Sequence, residues 1–249
     1  MKKIKKILIS QPESTDKSPY IDLANKYNVK IDFKPFIQVE SVPLKDFRKQ
    51  KIEIVAHTAV IFNARTAVDH FFRICEESRI SVPETMKYFC MSEAIALYLQ
   101  KYIVYRKRKI FFGDGSLTSL ITLTTVSKHR NDKFFLVLAD SYKPEVPKSL
   151  EKAKLKITRA ILYRTVATDL SALNIAEYDI IAFFSPMEIK SLQSNFPDYA
   201  QGDTLFATFG PATAKAVKAA KFTLSIEAPK PEIPSMSKAL DLFLKNNSQ

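Results

Sequence analysis

Apolar residues follow two alternating patterns along the chain. Short runs rich in β-branched and aromatic residues predict strands at 5–10, 29–36, 58–63, 86–91, 102–112, 133–139, 155–165, 179–185, 205–210 and 222–227. Apolar residues at helical spacing predict helices between several of them, at 66–78, 92–102, 187–196 and 211–221. Such alternation of strand and helix is typical of an α/β protein with mainly parallel sheets.

The two halves of the chain carry a similar series of elements. In the first half, AVIFNARTAVDHFF (59–72) is followed by YFCMSEAIALYL (88–99). In the second half, IIAFFSPMEIKSL (180–192) is followed by LFATFGPATAKAV (205–217). Each series reads as strand, small turn, helix, spacer, strand, small turn and helix. This weak repeat predicts two similar small α/β domains with flavodoxin-like sheets.

Two extended segments bracket the first series. Residues 29–43 and 155–165 are long and rich in β-forming residues, so we expect parts of them to run side by side in opposite directions. The first domain is then discontinuous. The predicted organisation is domain 1 at 1–36 plus 166–249, a two-stranded antiparallel linker at 37–43 and 156–165, and domain 2 at 44–155.

The composition indicates what kind of partner and which compartment to expect for this protein. The chain has 249 residues, of which 46% are hydrophobic, and its formal charge of +12 favours an anionic partner. Its two cysteines do not have the spacing of a disulfide framework or a zinc site. The opening MKKIKKILIS has too short an apolar part for a signal peptide, and no apolar run approaches the length of a membrane span. We expect a cytoplasmic protein without a membrane partner.

The junction between 205–210 and 211–221 is a candidate anion site. There an apolar strand pattern ends at Gly210, and Pro211, Ala212 and Thr213 open a helix pattern. The first backbone N–H groups of a helix lack partners and carry partial positive charge, which suits an anion. A plain strand-to-helix connection with proline in the first turn explains the same residues.

Several motifs, in their order and spacing, resemble those of the uroporphyrinogen-III synthase family. They are the opening KKILISQP, FNARTAVDHFF, LYRT, FFSPMEIKSL, GPATAKAV and the late APKPEIPSMSKALDLF. The resemblance covers nearly the whole chain. It implies two small α/β domains joined by a two-stranded ladder.

The resemblance also implies an activity. The substrate would be hydroxymethylbilane, a linear tetrapyrrole with eight carboxylates, which suits the +12 charge. It would lose water and close through a spiro intermediate to uroporphyrinogen III, with the last ring inverted. The reaction needs no metal or other cofactor, and the enzyme is expected to be a monomer.

Site residues follow from the matching motifs. Tyr163 matches a tyrosine proposed to assist the departure of water, and a phenol can donate a hydrogen bond to that hydroxyl. Thr213, the backbone around it, and Ser185 would hold carboxylates, although Ser185 also suits a helix cap. Arg65 could bind a carboxylate through two hydrogen bonds. The expected cleft is lined by Asn63, Arg65, Ser92, Ser185, Gly210, Pro211, Ala212 and Thr213.

The chain departs from the family pattern in its first series. Asn63 and Ala64 stand where a threonine and a serine are usual, and Ser92 and Ile95 replace a glycine and a threonine. The usual Arg–Gly pair after the strand at 133–139 is also missing. A non-catalytic relative that binds a tetrapyrrole or a protein in the same cleft therefore stays open as an alternative.

Other activities find less support. His57, His70 and His129 lack metal-ligand spacing and are expected to be structural or exposed, and a chain with only four glycines does not fit a dinucleotide or P-loop site. The segment YIVYRKRKIFF (102–112) interleaves basic and aromatic residues, as nucleic-acid-binding segments do. Basic residues also protect exposed strand edges, and we expect that role and no nucleic-acid partner.

Overall fold

A computed structural model describes residues 3–13 and 18–247 of the chain. Its strands are Lys6–Ile9 (β1), Lys30–Phe33 (β2), Ile37–Ser41 (β3), Ala59–Phe62 (β4), Lys87–Cys90 (β5), Ile110–Phe112 (β6), Lys133–Ala139 (β7), Lys156–Ala167 (β8), Ile180–Phe183 (β9), Leu205–Phe209 (β10) and Leu224–Ala228 (β11). Its α-helices are Pro19–Tyr27 (α1), Leu44–Lys49 (α2), Arg65–Glu77 (α3), Glu93–Tyr98 (α4), Leu117–Thr125 (α5), Glu145–Lys152 (α6), Pro186–Asn195 (α7), Pro211–Ala219 (α8) and Met236–Asn247 (α9). The predicted α/β class with mainly parallel sheets is confirmed.

The chain divides into two compact units. Unit 1 comprises Met1–Gln38 and Val166–Gln249, and unit 2 comprises Val39–Thr165. The chain passes from one unit to the other within β3 and again within β8. Among the described residues, no helix is both long and apolar enough to span a membrane.

In the described part of unit 1, five parallel strands form a sheet in the order β11-β10-β9-β1-β2. Taken in chain order within the unit, this is the flavodoxin-like order 2-1-3-4-5. The sheet is buried on both faces, since Ile7 and Ile9 pack in one apolar cluster and Leu8 packs in another. Parallel sheets covered on both faces need such continuous apolar strands.

In unit 2, six described strands form a sheet in the order β3-β8-β7-β4-β5-β6, and the pairs from β8 to β6 are parallel. Taken in chain order, β4 to β8 lie in the order 3-2-1-4-5, which differs from unit 1. Along β7, Phe135 and Val137 face one apolar cluster, whereas Phe134 and Leu136 face the other. This central strand is therefore covered on both sides.

The second predicted linker segment belongs to the sheet of unit 2. β3 lies beside β8, but β8 also pairs in parallel with the whole of β7. Ala160 and Leu162 on β8 are fully buried in the core of unit 2. Their burial explains why this segment is a strand of the sheet as well as a connection between the units.

The prediction of one strand over 102–112 is wrong for most of that segment. Only Ile110–Phe112 forms a strand, at the edge of the sheet. A short 3₁₀ helix occupies Leu99–Lys101, and the N–H of Lys109 donates to the carbonyl of Arg106 in a turn. The basic residues before Ile110 are thus on a loop and do not protect a strand edge.

Candidate functional site

The carboxyl ends of parallel strands meet at one edge of each sheet, and ligands in open α/β sheets bind where the strand order reverses. In unit 1 the order reverses between β1 and β9. Ser10 follows β1, and Phe184 and Ser185 follow β9. The switch point of this unit therefore lies at one of the turns predicted from the sequence.

A buried carboxylate organises this switch point. Glu188 is only 3% exposed, and its Oε2 accepts hydrogen bonds from Ser10 Oγ at 2.6 Å and from the N–H groups of Phe184 and Ser185 at 2.6 and 3.2 Å. Burial raises the pKa of Glu188, and these three hydrogen bonds oppose that rise. Sequence reasoning missed Glu188, because it joins segments 178 positions apart.

Ser185 caps helix α7. Its Oγ accepts a hydrogen bond from the N–H of Met187 at 3.2 Å, and Glu188 completes a capping box. The first N–H groups of α7 are thus partly occupied within the protein. The hydroxyl hydrogen of Ser185 has no acceptor among the described residues, so it can still donate to a ligand.

Helix α8 begins at an open turn. Gly210 has φ 94° and ψ 145°, and no side chain caps the helix that Pro211 begins. Thr213 in the first turn is 2% exposed, and its hydroxyl has no hydrogen-bond partner among the described residues. Open N–H groups beside a free hydroxyl suit a carboxylate. Below this turn, the buried Oγ1 of Thr208 on β10 also lacks a described partner.

In unit 2 the strand order reverses between β7 and β4, and Asn63 directly follows β4. Its Oδ1 is buried without a hydrogen-bond partner in the described chain. Helix α3 then begins at Arg65, and Ala64 at its N-cap offers no side-chain hydrogen bond. The guanidinium carbon of Arg65 lies 5.5 Å from the centre of the Tyr98 ring.

Ser92 follows β5 and precedes helix α4, but its side chain makes no capping bond. It lines an open pocket together with Gly113 and Asp114, which follow β6. Ile95, at the position where the family has a threonine, is 7% exposed and packs in the core of unit 2. This first turn of α4 therefore lacks the hydroxyl that α8 has in Thr213.

Tyr163 lies on β8 and is 7% exposed. Its ring stacks on His70 of α3 at 5.1 Å between centroids and 15° between planes. Burial raises the pKa of Tyr163, and burial followed by the charge of Arg73 lowers the pKa of His70. Both rings are thus favoured in their neutral forms. The phenol has no hydrogen-bond partner among the described residues, so it is free to donate.

The predicted site residues fall into two groups. Unit 1 holds Ser185, Gly210, Pro211, Ala212 and Thr213, and unit 2 holds Asn63, Arg65, Ser92 and Tyr163. Within each unit, the turns lie at the carboxyl edge of the parallel sheet. Among the described residues, no group of three or more histidines, cysteines or acidic residues is placed to hold a metal ion.

Comparisons with known proteins identify the family. The family model described as uroporphyrinogen-III synthase HemD matches residues 18–238. The uroporphyrinogen-III synthetase structure from Helicobacter pylori 26695 has a TM-score of 0.60 at 15% identity, with 98% of this chain and 100% of that chain covered. A mutant uroporphyrinogen III synthase structure from the extremely thermophilic bacterium Thermus thermophilus has a TM-score of 0.53 at 15% identity, with 98% and 99% covered.

At these identities the two structures establish the fold, whereas the family model establishes membership. No curated protein matches the chain. The motifs predicted from the sequence lie within the matched residues, except for the opening strand and the last five residues of the late motif at 228–243. The chain belongs to the uroporphyrinogen-III synthase family of cyclising hydro-lyases.

Proposed function

We propose that this chain cyclises hydroxymethylbilane to uroporphyrinogen III with inversion of the last ring. Family membership supports the reaction, and the open first turn of α8 is the structural observation that supports substrate binding best. That turn presents unoccupied N–H groups and the free hydroxyl of Thr213. A polycarboxylate is the kind of substrate that such a turn binds.

The protein has to assist the loss of water from the substrate and to control which ring carbon forms the new bond. The hydroxymethyl group loses its hydroxyl as water and keeps its carbon as an electrophile, which the substituted carbon of the last ring attacks to form the spiro intermediate. Fragmentation and closure then give the inverted product. The linear substrate also closes without inversion, so the protein has to hold its reacting ends in one geometry, which is worth roughly 7–11 kcal/mol in favourable cases.

We assign the departure of water to Tyr163. Its ring stacks on His70, and its hydroxyl is without a partner among the described residues. Because burial raises the pKa of Tyr163, the phenol stays protonated at neutral pH and can donate to the leaving hydroxyl. His70 is then a support for the ring. Because the pKa of His70 is lowered, its imidazole is favoured in the neutral form and places no positive charge beside the phenol.

We assign carboxylate binding to the turns at the carboxyl edges. In unit 1, the turn from Gly210 to Thr213 offers the N–H groups of Ala212 and Thr213 and the Thr213 hydroxyl, and Ser185 offers its hydroxyl hydrogen. In unit 2, Arg65 offers a guanidinium, while Asn63 and Ser92 offer polar groups at the ends of β4 and β5. The proposed enzyme needs no cofactor and acts as a cytoplasmic monomer, without a nucleic-acid partner.

The test is to supply the purified protein with freshly generated hydroxymethylbilane, oxidise the products and separate the type I and type III uroporphyrins. An excess of type III is expected. Heat-denatured protein serves as the control for spontaneous closure. Type I alone, at the spontaneous rate and with a folded protein, would contradict the proposal and favour a relative that binds without turnover.

The variant Thr213→Ala distinguishes the contribution of the Thr213 hydroxyl to substrate binding from that of the backbone N–H groups of the α8 turn. We expect a higher KM and a fold that is retained, because the hydroxyl has no partner among the described residues. An unchanged KM would remove the Thr213 hydroxyl from the site, although the N–H groups of the turn would still be available.

A further inference from the structure

The carboxylate of Asp69 on α3 is occupied by three neighbours. The Tyr98 hydroxyl donates to its two oxygens at 2.9 and 3.0 Å, and Lys101 Nζ donates to Oδ1 at 2.9 Å. The Tyr102 hydroxyl also donates to Oδ1. Burial acts to raise the pKa of Asp69, but these hydrogen bonds outweigh it and the pKa is lowered. Asp69 is therefore a carboxylate that three donors hold on the side of α4, mainly through Oδ1.

This arrangement leaves Arg65 without a carboxylate. Arg65 and Asp69 are four positions apart on one helix, a spacing that brings two oppositely charged side chains within reach of each other. No such pair forms, and Arg65 has no acidic partner among the described residues. Its guanidinium lies 5.5 Å above the ring of Tyr98, the same residue whose hydroxyl holds Asp69.

The location of Arg65 makes this separation functionally relevant. Arg65 is the first residue of α3, directly after the turn at the end of β4, and it is exposed. A guanidinium already paired with Asp69 would have to give up that partner before it could bind a substrate carboxylate. A guanidinium that is held over an aromatic ring is kept in place, and its N–H donors remain available to a ligand.

We propose that Tyr98 and Tyr102 are positioning residues that hold Asp69 away from Arg65 and so keep the Arg65 guanidinium free for a substrate carboxylate. This inference rests on the proposed function, in which Arg65 binds the substrate. Tyr98 acts in two ways, since its ring supports Arg65 and its hydroxyl occupies Asp69. Tyr102 acts only on Asp69.

The test removes the two hydroxyls and then the competing carboxylate. In the variant Tyr98→Phe/Tyr102→Phe the rings stay and Lys101 still pairs with Asp69, but the carboxylate loses its two hydroxyl donors and can pair with Arg65 as well. The KM for hydroxymethylbilane is expected to rise about two- to fivefold, the effect of an exposed ion pair, with kcat within about twofold of wild type. Adding Asp69→Asn removes the competitor and is expected to restore the wild-type KM.

A matched control separates competition from overall charge. Glu76 is exposed on the same helix, so Glu76→Gln in the double variant makes the same change in charge as Asp69→Asn without touching Arg65. It is expected to leave the raised KM unchanged. If both substitutions restore KM equally, the effect is general electrostatics and the proposal is wrong.

Two further variants keep the outcomes distinct. Asp69→Asn alone removes the charge that Tyr98, Lys101 and Tyr102 hold, yet it is expected to leave KM within about twofold of wild type. A large rise in KM would contradict the idea that Asp69 competes for Arg65. Arg65→Gln is expected to raise KM about tenfold or more. If it does not, the role of Arg65 in the proposed function fails. If it does and the double tyrosine variant keeps the wild-type KM, only the positioning inference fails.

Discussion

Several polar groups at the carboxyl edges lack hydrogen-bond partners among the described residues. The hydroxyls of Tyr163 and Thr213 belong to residues that are 7% and 2% exposed, and neither has a described partner. The buried hydroxyls of Thr124 and Ser191 donate hydrogen bonds, whereas those of Thr168 and Tyr199 have no described partner. Because an unpaired buried hydroxyl ordinarily costs stability, unpaired groups at a sheet edge are candidates for ligand contacts.

Tyr163→Phe tests the proposed donor. The variant keeps the ring on His70 and loses only the hydroxyl, so kcat is expected to fall roughly 100-fold if the phenol assists the departure of water. The free energy of unfolding is expected to change by less than about 0.5 kcal/mol, because the hydroxyl has no described partner to lose. Single-turnover rates and urea unfolding measure the two effects. A kcat equal to wild type would exclude the phenol from the chemistry.

Thr208→Val tests whether a buried hydroxyl on β10 is unpaired. Valine has nearly the same shape, and the Oγ1 of Thr208 is buried without a described partner, so its removal is expected to raise the free energy of unfolding by about 1 kcal/mol. Thr204→Val is the matched control. The Thr204 hydroxyl donates to the carbonyl of Tyr178 at 3.2 Å, so its loss is expected to destabilise by about 1 kcal/mol. A loss of stability in both variants would show that Thr208 is hydrogen bonded in solution.

At the scale of elements, the helices differ in whether a side chain accepts hydrogen bonds from the backbone N–H groups at their N-termini. Helix α7 has a capping box formed by Ser185 and Glu188, and α5 is capped by Ser116. Helices α3 and α8 have no side-chain cap. A helix end without a cap leaves N–H groups for water or a ligand. Helices α2, α4 and α6 also lack a side-chain cap, so α3 and α8 are favoured as anion sites because Arg65 and the Thr213 hydroxyl lie in their first turns.

Gly210→Ala tests the backbone of the α8 turn. A Cβ at Gly210 would meet nothing within 4 Å, but a φ of 94° is rarely adopted by other residues. The substitution is expected to destabilise by about 1–3 kcal/mol and to raise KM as the turn shifts. Gly202→Ala is the control, since Gly202 has equally open space and a φ of 52°. It is expected to cost about 1 kcal/mol and to leave KM unchanged. Equal effects on KM would show that the α8 turn has no special role.

The sequence allowed the central elements to be predicted, because their apolar patterns are long and unambiguous. The run 133–139 is β7, and the helix predicted at 66–78 is α3 with its start moved to Arg65. Helix α5 was missed because its sequence LTSLITLTT is rich in β-branched residues. Packing of Leu120 against the sheet and the Ser116 cap favour the helix there.

The site was predictable only in part, for a similar reason. The turns that follow strands could be found from the local pattern of strand, small residues and helix. The contacts that shape the site could not, because they join distant segments: Glu188 binds Ser10, and His70 of α3 stacks on Tyr163 of β8. No local spacing encodes such pairs. The same holds for Asp69, whose partners on and after α4 follow it by 29 to 33 positions.

At the scale of the whole molecule, the two edges of the unit 2 sheet have different chemistry. At the amino ends of β4, β5 and β7, Asp132 accepts from Thr58, Lys87 and His129 at 2.8, 2.8 and 3.1 Å. Burial acts to raise the pKa of Asp132, but these hydrogen bonds lower it overall. We infer that this edge contributes to stability, whereas the open turns at the other edge serve binding.

The pH dependence of stability tests this inference through His129. Burial lowers the pKa of His129, with Lys87 and Lys128 also lowering it and Asp132 opposing them. Its stabilising contribution is thus complete above the unfolded pKa of about 6.5 and is lost as the pH falls through that value toward the folded pKa. Urea unfolding at about pH 7.5 and about pH 5.5 should show a smaller fall in stability for His129→Asn than for wild type. An equal fall would assign the effect to other groups, such as His70.

Charge acts on substrate binding over the whole chain. The protein carries a formal charge of +12 and the proposed substrate carries eight carboxylates, so KM is expected to rise about threefold or more between about 50 and 500 mM NaCl, while kcat changes little. Sucrose at equal osmolality is the control for water activity. Arg65→Gln should make this dependence shallower, because one cation that contacts the substrate is gone. If KM is independent of salt, the carboxylates are bound by helix ends and hydroxyls alone, and the excess of basic residues serves another purpose.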